Sequence, residues 1–277
     1  LTRPRNAVDY AAALQSNPVR KRYGVPVLLG ADLAELPVAF GMRKEDFFAP
    51  LPTMLAVAAA DDPTATRGLA DLYAEHLAAM GFSFQAGPCL ALAPDLPNAK
   101  GGLQCLGSDP DFVGETAEIF LRAFAERGLA VLFTGFPGGY WNQSGDAPPM
   151  LMTPASAMGA QDLIPYKRAI LGGARMLLVG NILTPHLDKD RGAASLSPKV
   201  MKELLRDELL YPGIVVAGPI DGLSVSKGAT QEDAAVTALS DCRPSRRATC
   251  SSRRVMRVLG TLAMGEYPPW LSPPVVV

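Results

Sequence analysis

One unit recurs along this chain and limits what it can fold into. A capping residue and a proline lead into an amphipathic stretch of helix length, then a glycine, then a short apolar run of strand type. Asp62-Pro63 opens a helix running to about Met80, Gly81 stops it, and Phe82-Ser83-Phe84 begins a strand. Asp109-Pro110 opens the next, Gly128 stops it, and Leu129 to Phe133 is the strand. Ser197-Pro198 opens a third, which ends near Leu210 ahead of Gly213 and the strand Ile214 to Ala217. Proline suits the first helical turn because its missing N–H has no partner there, and glycine suits the position past the end, where φ turns positive. Two more strands read clearly, Val25 to Gly30 and Met176 to Gly180, the latter preceded by a helix of approximately Gln161 to Leu171 with Pro165 in its first turn.

Strands that are apolar throughout, rather than alternating, need cover on both faces, which points to a parallel sheet under helices. Repeated β-α units along the whole length predict the α/β class and a TIM-type β/α barrel in preference to a doubly wound sheet. The length of 277 residues suits a single domain, since such barrels commonly run to about 250 residues. No Gly-x-Gly-x-x-Gly follows a strand and no Walker loop occurs, so dinucleotide and P-loop sites lack their phosphate cradle. With 48% hydrophobic and 19% charged residues the chain can bury a sizeable core.

The formal net charge of −1 gives no electrostatic reason to expect nucleic acid or an anionic membrane surface as partner. No apolar run approaches the ~20 residues that span a bilayer. The N-terminus carries no signal-peptide core, which fits a cytoplasmic protein, although the chain begins at Leu1 rather than Met. Cys89, Cys105, Cys242 and Cys250 show no Cys-x-x-Cys spacing. Buried or incidental thiols are therefore expected over a zinc site or redox pair, and no metal or other cofactor is predicted. His76, in mid-helix, and His186, in a loop, read as surface residues. Ser224-Val225-Ser226-Lys227 fits a Ser-x-x-Lys pattern but lacks the partner motifs that would give it meaning. The tail from about residue 266, Pro268-Pro269-Trp270-Leu271-Ser272-Pro273-Pro274, is too proline-rich for helix or central strand and is expected to lie on the surface or reach a second subunit.

The stretch Val131-Leu132-Phe133-Thr134-Gly135-Phe136-Pro137-Gly138-Gly139-Tyr140 is the most telling for function: an apolar strand breaks into Phe-Pro-Gly and a small-residue loop. It resembles the Lys-His-Phe-Pro-Gly-His-Gly signature of glycoside hydrolase family 3, the family of bacterial β-N-acetylhexosaminidases. Further pieces are similar in the same order. They are Pro26 to Asp32, Pro50-Leu51-Pro52-Thr53-Met54, Leu106-Gly107-Ser108-Asp109-Pro110, Ala194-Ser195-Leu196-Ser197-Pro198-Lys199-Val200 and Tyr211-Pro212-Gly213-Ile214-Val215-Val216. The resemblance covers approximately residues 25 to 240 and implies a barrel with an irregular second strand, with its site at the strand ends near Asp32, Ala91, Thr134, Asn181 and Gly218.

The resemblance also implies which chemistry should be present. Retaining glycosidases need a nucleophile and an acid/base on either side of the scissile bond. The family's nucleophile is the first Asp of Val-Val-Thr-Asp-Asp-Leu, and this chain reads Val215-Val216-Ala217-Gly218-Pro219-Ile220-Asp221, placing Gly218 there. Asp221 follows three residues later, about 10 Å along an extended chain. Thr134, Gly135 and Gly139 stand where the family has Lys, His and His, and Tyr140 to Gly145 holds no His, Asp or Glu. At the sugar-binding positions the family's Arg becomes Gln104, its His becomes Asn181, the Asp of Pro-x-x-Asp becomes Ala91, and Asp32 alone keeps its type.

Three functions follow from this pattern. The first is a homologue without an intact nucleophile or acid/base that binds a glycan, such as a peptidoglycan fragment, or a partner protein through Asp32, Gln104, Thr134, Tyr140, Trp141 and Asn181. The second is an active β-N-acetylhexosaminidase using relocated carboxylates, with Asp32 and Asp221 the candidates. The third is an interaction subunit whose barrel is plugged by Tyr140, Trp141 and Leu33. One segment, Asp241 to Arg254, is polar and basic where the barrel needs its last apolar strand. Its Ala248-Thr249-Cys250-Ser251-Ser252-Arg253 can be encoded by codons that read Gly-Asp-Leu-Leu-Leu-Ala in a neighbouring frame, similar to the family's strand there, so we read it as a frame artefact.

Overall fold

The structure, a computed structural model, describes residues 11–12, 15, 27–32, 52–92, 105–138, 141–142, 150–189, 192–218 and 231–241, with the backbone alone for Asp32, Trp141, Asn142, Gln231, Leu239, Ser240 and Asp241. In chain order the main elements are β1 (Gly30–Asp32), α1 (Met54–Ala60), α2 (Pro63–Ala79), β2 (Phe84–Cys89), α3 (Pro110–Ala125) and β3 (Ala130–Phe136). There follow β4 (Trp141–Asn142), β5 (Met150–Leu151), α4 (Ala155–Met158), α5 (Ile164–Leu171), β6 (Met176–Val179), a π-helix (Lys199–Glu208), β7 (Ile214–Ala217) and α6 (Gln231–Asp241).

The caps work as their residue types dictate. The Asp62 carboxylate accepts from the N–H groups of Thr64 (2.8 Å) and Ala65 (3.1 Å), and Asp109 accepts from Asp111 (2.9 Å) and Phe112 (3.1 Å). Each satisfies two of the orphan donors of a first helical turn. Gly81 and Gly128 take φ of +84° and +75° where α2 and α3 stop, a backbone that a Cβ would oppose.

The strands form one parallel sheet in the order β1-β2-β3-β6-β7, with β4 and β5 paired antiparallel apart from it. Strand order therefore follows chain order without reversal, the winding of a TIM-like α/β fold and not of a doubly wound sheet, whose order reverses at its switch point. Side chains alternate between two buried faces. Val131, Phe133, Leu177 and Val215 pack against Tyr73, Leu77, Phe120 and Phe124 of the helices. Phe84, Leu132 and Met176 form a second cluster with Leu178, Ile214 and Val216 on the other face. Burial on both sides is why these strands read as continuous apolar runs.

Some boundaries differ from the sequence reading. β1 begins at Gly30, where the Val25–Gly30 strand was expected to end, because its ladder with β2 starts at the Gly30–Phe84 pair. β3 runs on to Phe136, three residues past the expected end. The helix after Pro198 is π-wound, its last turn closed by the Leu209 N–H on the Leu204 carbonyl (2.9 Å). Nothing in its residue types separates it from an α-helix. Helix α1, with Thr53 accepting from the Ala56 N–H at 3.1 Å, the β4–β5 pair and α6 were not expected. Leu33, Ser224–Lys227, the Pro-rich tail and nearly all of 241–254 lie outside the described residues.

Candidate functional site at the strand ends

The C-terminal ends of the strands share one rim because their hydrogen bonds continue past the last ladder residues. The Leu90 N–H donates to the Thr134 carbonyl (3.0 Å), Gly180 to Phe136 (3.0 Å) and Gly218 to Val179 (2.9 Å). Thr134 in β3, Asn181 two residues past β6 and Gly218 just past β7 thereby stand along this edge of the sheet, with Ala91 two residues past β2. The backbone of Asp32 closes β1 opposite Ala86. Gln104, Tyr140 and Asp221 lie outside the described residues, and Trp141 is placed only as backbone in β4.

Gly218 has no room for a side chain unless its neighbour moves. A Cβ built there would lie 2.9 Å from both Cγ and Oδ1 of Asn181. That amide is held in turn, because the hydroxyl of Ser195, itself 1% exposed, donates to Asn181 Oδ1 at 2.5 Å. The space beyond β7 is thus bordered by a tethered carboxamide.

Gly135 is closed in a similar way. Its φ is +90°, and a Cβ would meet Cys89 Sγ at 2.7 Å and Ala91 Cβ at 3.0 Å. Three residues on, the Gly138 N–H closes a tight turn onto the Gly135 carbonyl (2.8 Å). Gly138 itself (φ +90°) would bring a Cβ to 2.9 Å from the Asp162 carbonyl oxygen.

Asp162 was not anticipated. It precedes α5, is buried, and one carboxylate oxygen has no partner among the described residues. Burial raises its pKa above the ordinary carboxylate value, opposed by a hydrogen bond with Thr153. A carboxyl whose folded pKa lies above its unfolded value of ~3.9 binds more protons folded than unfolded between the two. Its contribution is fully present below about pH 4 and is lost as pH rises through the raised folded value. We expect Asp162→Asn to flatten that acid-side decline and to raise stability at neutral pH, read from urea midpoints across a pH series. Parallel curves for the two proteins would contradict it.

Cys89 and Cys105 were expected to be buried or incidental thiols, with little support for a redox pair. Both are buried free thiols, and they meet, with sulfurs 3.6 Å apart. Their separation of 16 positions carries no spacing signal, so the contact could not be read from residue order. His186 is exposed, as expected, and His76 sits partly exposed on α2 with Nδ1 2.7 Å from the Leu72 carbonyl. Among the described residues no group of three or more His, Cys, Asp or Glu could hold a metal ion, and no helix is long and apolar enough to cross a membrane.

A parallel sheet wound in chain order under helices defines a TIM-like α/β fold. The chain belongs to a known family of such domains: residues 2–241 match the profile of the glycosyl hydrolase family 3 N-terminal domain. A β-hexosaminidase of Stenotrophomonas maltophilia (strain K279a) is 26% identical over 195 residues, covering 68% of this chain and 57% of that relative. One from Xanthomonas oryzae pv. oryzae (strain KACC10331 / KXO85) is 24% identical over 172 residues, 60% of this chain and 48% of its own. The chain thus spans about half the length of these curated relatives. A family 3 β-N-acetylglucosaminidase from Paenibacillus sp. str. FPU-7 superposes with a TM-score of 0.78 at 25% identity, covering 87% of this chain and 45% of that one. A β-glucoside phosphorylase, at TM-score 0.74 and 20% identity over 87% of this chain and 44% of its own, shares the fold.

Proposed function

We propose that this domain binds a glycan containing amino sugars, such as a peptidoglycan fragment, at its strand-end rim, and that it no longer cleaves it. The observation that carries the reading is Gly218. The resemblance places the nucleophile there, and a carboxylate has neither a side chain to ride on nor free space, since Asn181 borders the position. Gly135 adds to this, because the histidine that the resemblance implies there would meet Cys89 and Ala91. Thr134 and Asn181 remain as hydroxyl and amide groups able to hydrogen-bond a sugar, and the relatives named β-hexosaminidase and β-N-acetylglucosaminidase supply the substrate class.

Calorimetric titration of the chain with chitooligosaccharides and muropeptides tests binding, and a chromogenic β-N-acetylglucosaminide tests cleavage. Saturable binding without turnover is the expected result. Binding to none of these glycans would instead favour the plugged, purely structural subunit. Gly218→Asp is expected to leave turnover undetectable, because the acid/base is missing as well, and to destabilise the fold by ~1–3 kcal/mol through crowding against Asn181. Turnover appearing with that single change would mean a proton donor survives.

A second reading, cleavage through relocated carboxylates, draws support from Asp162, which burial holds toward the protonated form that a general acid requires. Turnover by the unmodified chain that Asp162→Asn, Asp32→Ala or Asp221→Ala abolishes would establish it in place of the first.

A further inference from the structure

Cys89 is the last residue of β2, and Cys105 forms a parallel β-bridge directly with it. Strands so paired run about 4.8 Å apart, inside the ~4.4–6.8 Å between Cα atoms that a disulfide spans. The sulfurs, at 3.6 Å, would approach by about 1.5 Å to reach bonding distance. Ala91 completes the small cluster around them, and the position that a Cβ of Gly135 would take lies against Cys89 Sγ. The pair therefore underlies the rim between Thr134 and the turn leading into α3.

We propose that Cys89 and Cys105 form a reversible dithiol–disulfide couple that a small peroxide oxidises, tying the end of β2 to the segment entering α3. The inference is independent of glycan binding, since it rests on the two thiols alone. Their roles differ. The thiol of Cys105 donates to Cys89, and with the Ala91 N–H and the Thr134 hydroxyl it lowers the Cys89 pKa against the effect of burial. The Cys105 pKa is raised by that same contact and by burial. Because the Ala91 N–H and the Thr134 hydroxyl reach Cys89 as further donors, Cys89 is assigned as the attacking sulfur and Cys105 as the resolving one.

In the first step the Cys89 thiolate attacks one peroxide oxygen. The O–O bond breaks, and the departing hydroxide takes up a proton as water, leaving a sulfenic acid on Cys89. Next the Cys105 sulfur attacks the Cys89 sulfur, the S–O bond breaks, and the hydroxyl leaves with the Cys105 proton as a second water. Two thiols and one hydrogen peroxide become one disulfide and two waters. With exposures of 5% and 6%, the thiols suit an oxidant of that size better than a bulky aromatic disulfide.

The experiment treats the full chain with hydrogen peroxide, alkylates remaining thiols after unfolding, and maps the unreduced digest by mass spectrometry. A Cys242→Ser, Cys250→Ser double variant run alongside removes the other two cysteines. A peptide joining Cys89 to Cys105, lighter by two hydrogens and released by dithiothreitol, is expected in both proteins. A melting temperature higher by roughly 5 °C should accompany it, as closing a loop of this length implies. In Cys105→Ser the Cys89 sulfenic acid should persist and be captured by dimedone. Full alkylation of both thiols after peroxide would overturn the proposal. So would irreversible sulfinic acid on either cysteine in the unsubstituted chain, or a cross-link that involves Cys242 or Cys250 instead.

Discussion

Phe136→Ala is expected to cost roughly 3–5 kcal/mol of folding stability, the range for emptying a fully buried aromatic site. The ring is completely buried at the end of β3 and meets the Tyr166 ring edge to face, with centroids 5.2 Å apart and planes at 88°. That geometry contributes about 0.5–1.5 kcal/mol beyond the apolar area. The surroundings cannot collapse readily into the gap. The Phe136 carbonyl accepts from the Gly180 N–H, its Cα pairs with Val179 in β6, and Tyr166 belongs to α5. A urea midpoint that falls with unchanged slope would fit a native-state cavity. A loss below ~1 kcal/mol would mean that α5 closes over the site and that the β3–α5 contact is softer than its geometry implies. Because Phe136 lies within the Gly135–Gly138 turn, ligand affinity at the strand ends should fall along with stability.

Arg206→Ala is expected to cost roughly 3 kcal/mol. Arg206 is buried on the π-helix, and its Nη1 donates to the carbonyls of Tyr211 (2.6 Å) and Gly213 (2.9 Å). Its guanidinium lies 5.4 Å from the centroid of the Tyr211 ring, whose hydroxyl donates to the Ile214 carbonyl at 3.2 Å. One cation therefore holds the turn that feeds β7 and so fixes where Gly218 falls. Alanine would leave carbonyls in a buried turn without their charged donor, and the loss of each such bond is worth about 1–3 kcal/mol. Lysine should recover only part of the deficit, since a single ammonium lacks the planar fork of donors and its stacking face. Thermal melts of the two variants check both statements. Full rescue by lysine would reduce the role of Arg206 to that of a positive charge.

Much of the fold was legible because it is written in local chemistry. Asp62 and Asp109 before proline, and Gly81 and Gly128 after apolar runs, name the ends of α2 and α3 with little help from the rest of the chain. Met176 to Gly180 and Ile214 to Ala217 read as buried strands for the same reason, the first ending one residue earlier at Val179. Strand starts were less legible, since Gly30 joins the ladder only where Phe84 stands beside it, and register belongs to pairs of strands. The rim was legible in part. Ordered motifs put Thr134, Asn181 and Gly218 at strand ends, yet the carboxamide against Gly218 depends on Ser195 arriving from another loop. Asp162 and the Cys89–Cys105 contact were illegible, because each arises from side chains meeting across elements with no fixed spacing.

The winding of the sheet has a consequence for how such a domain changes over time. Since β1, β2, β3, β6 and β7 stand side by side in the order they are made, all end at one edge of the sheet and each shares its backbone ladder with two neighbours at most. A loop can then surrender its reactive group while adjoining loops stay anchored by their own strands. An edge of that kind can outlive the reaction for which it was first shaped, and be refitted one segment at a time.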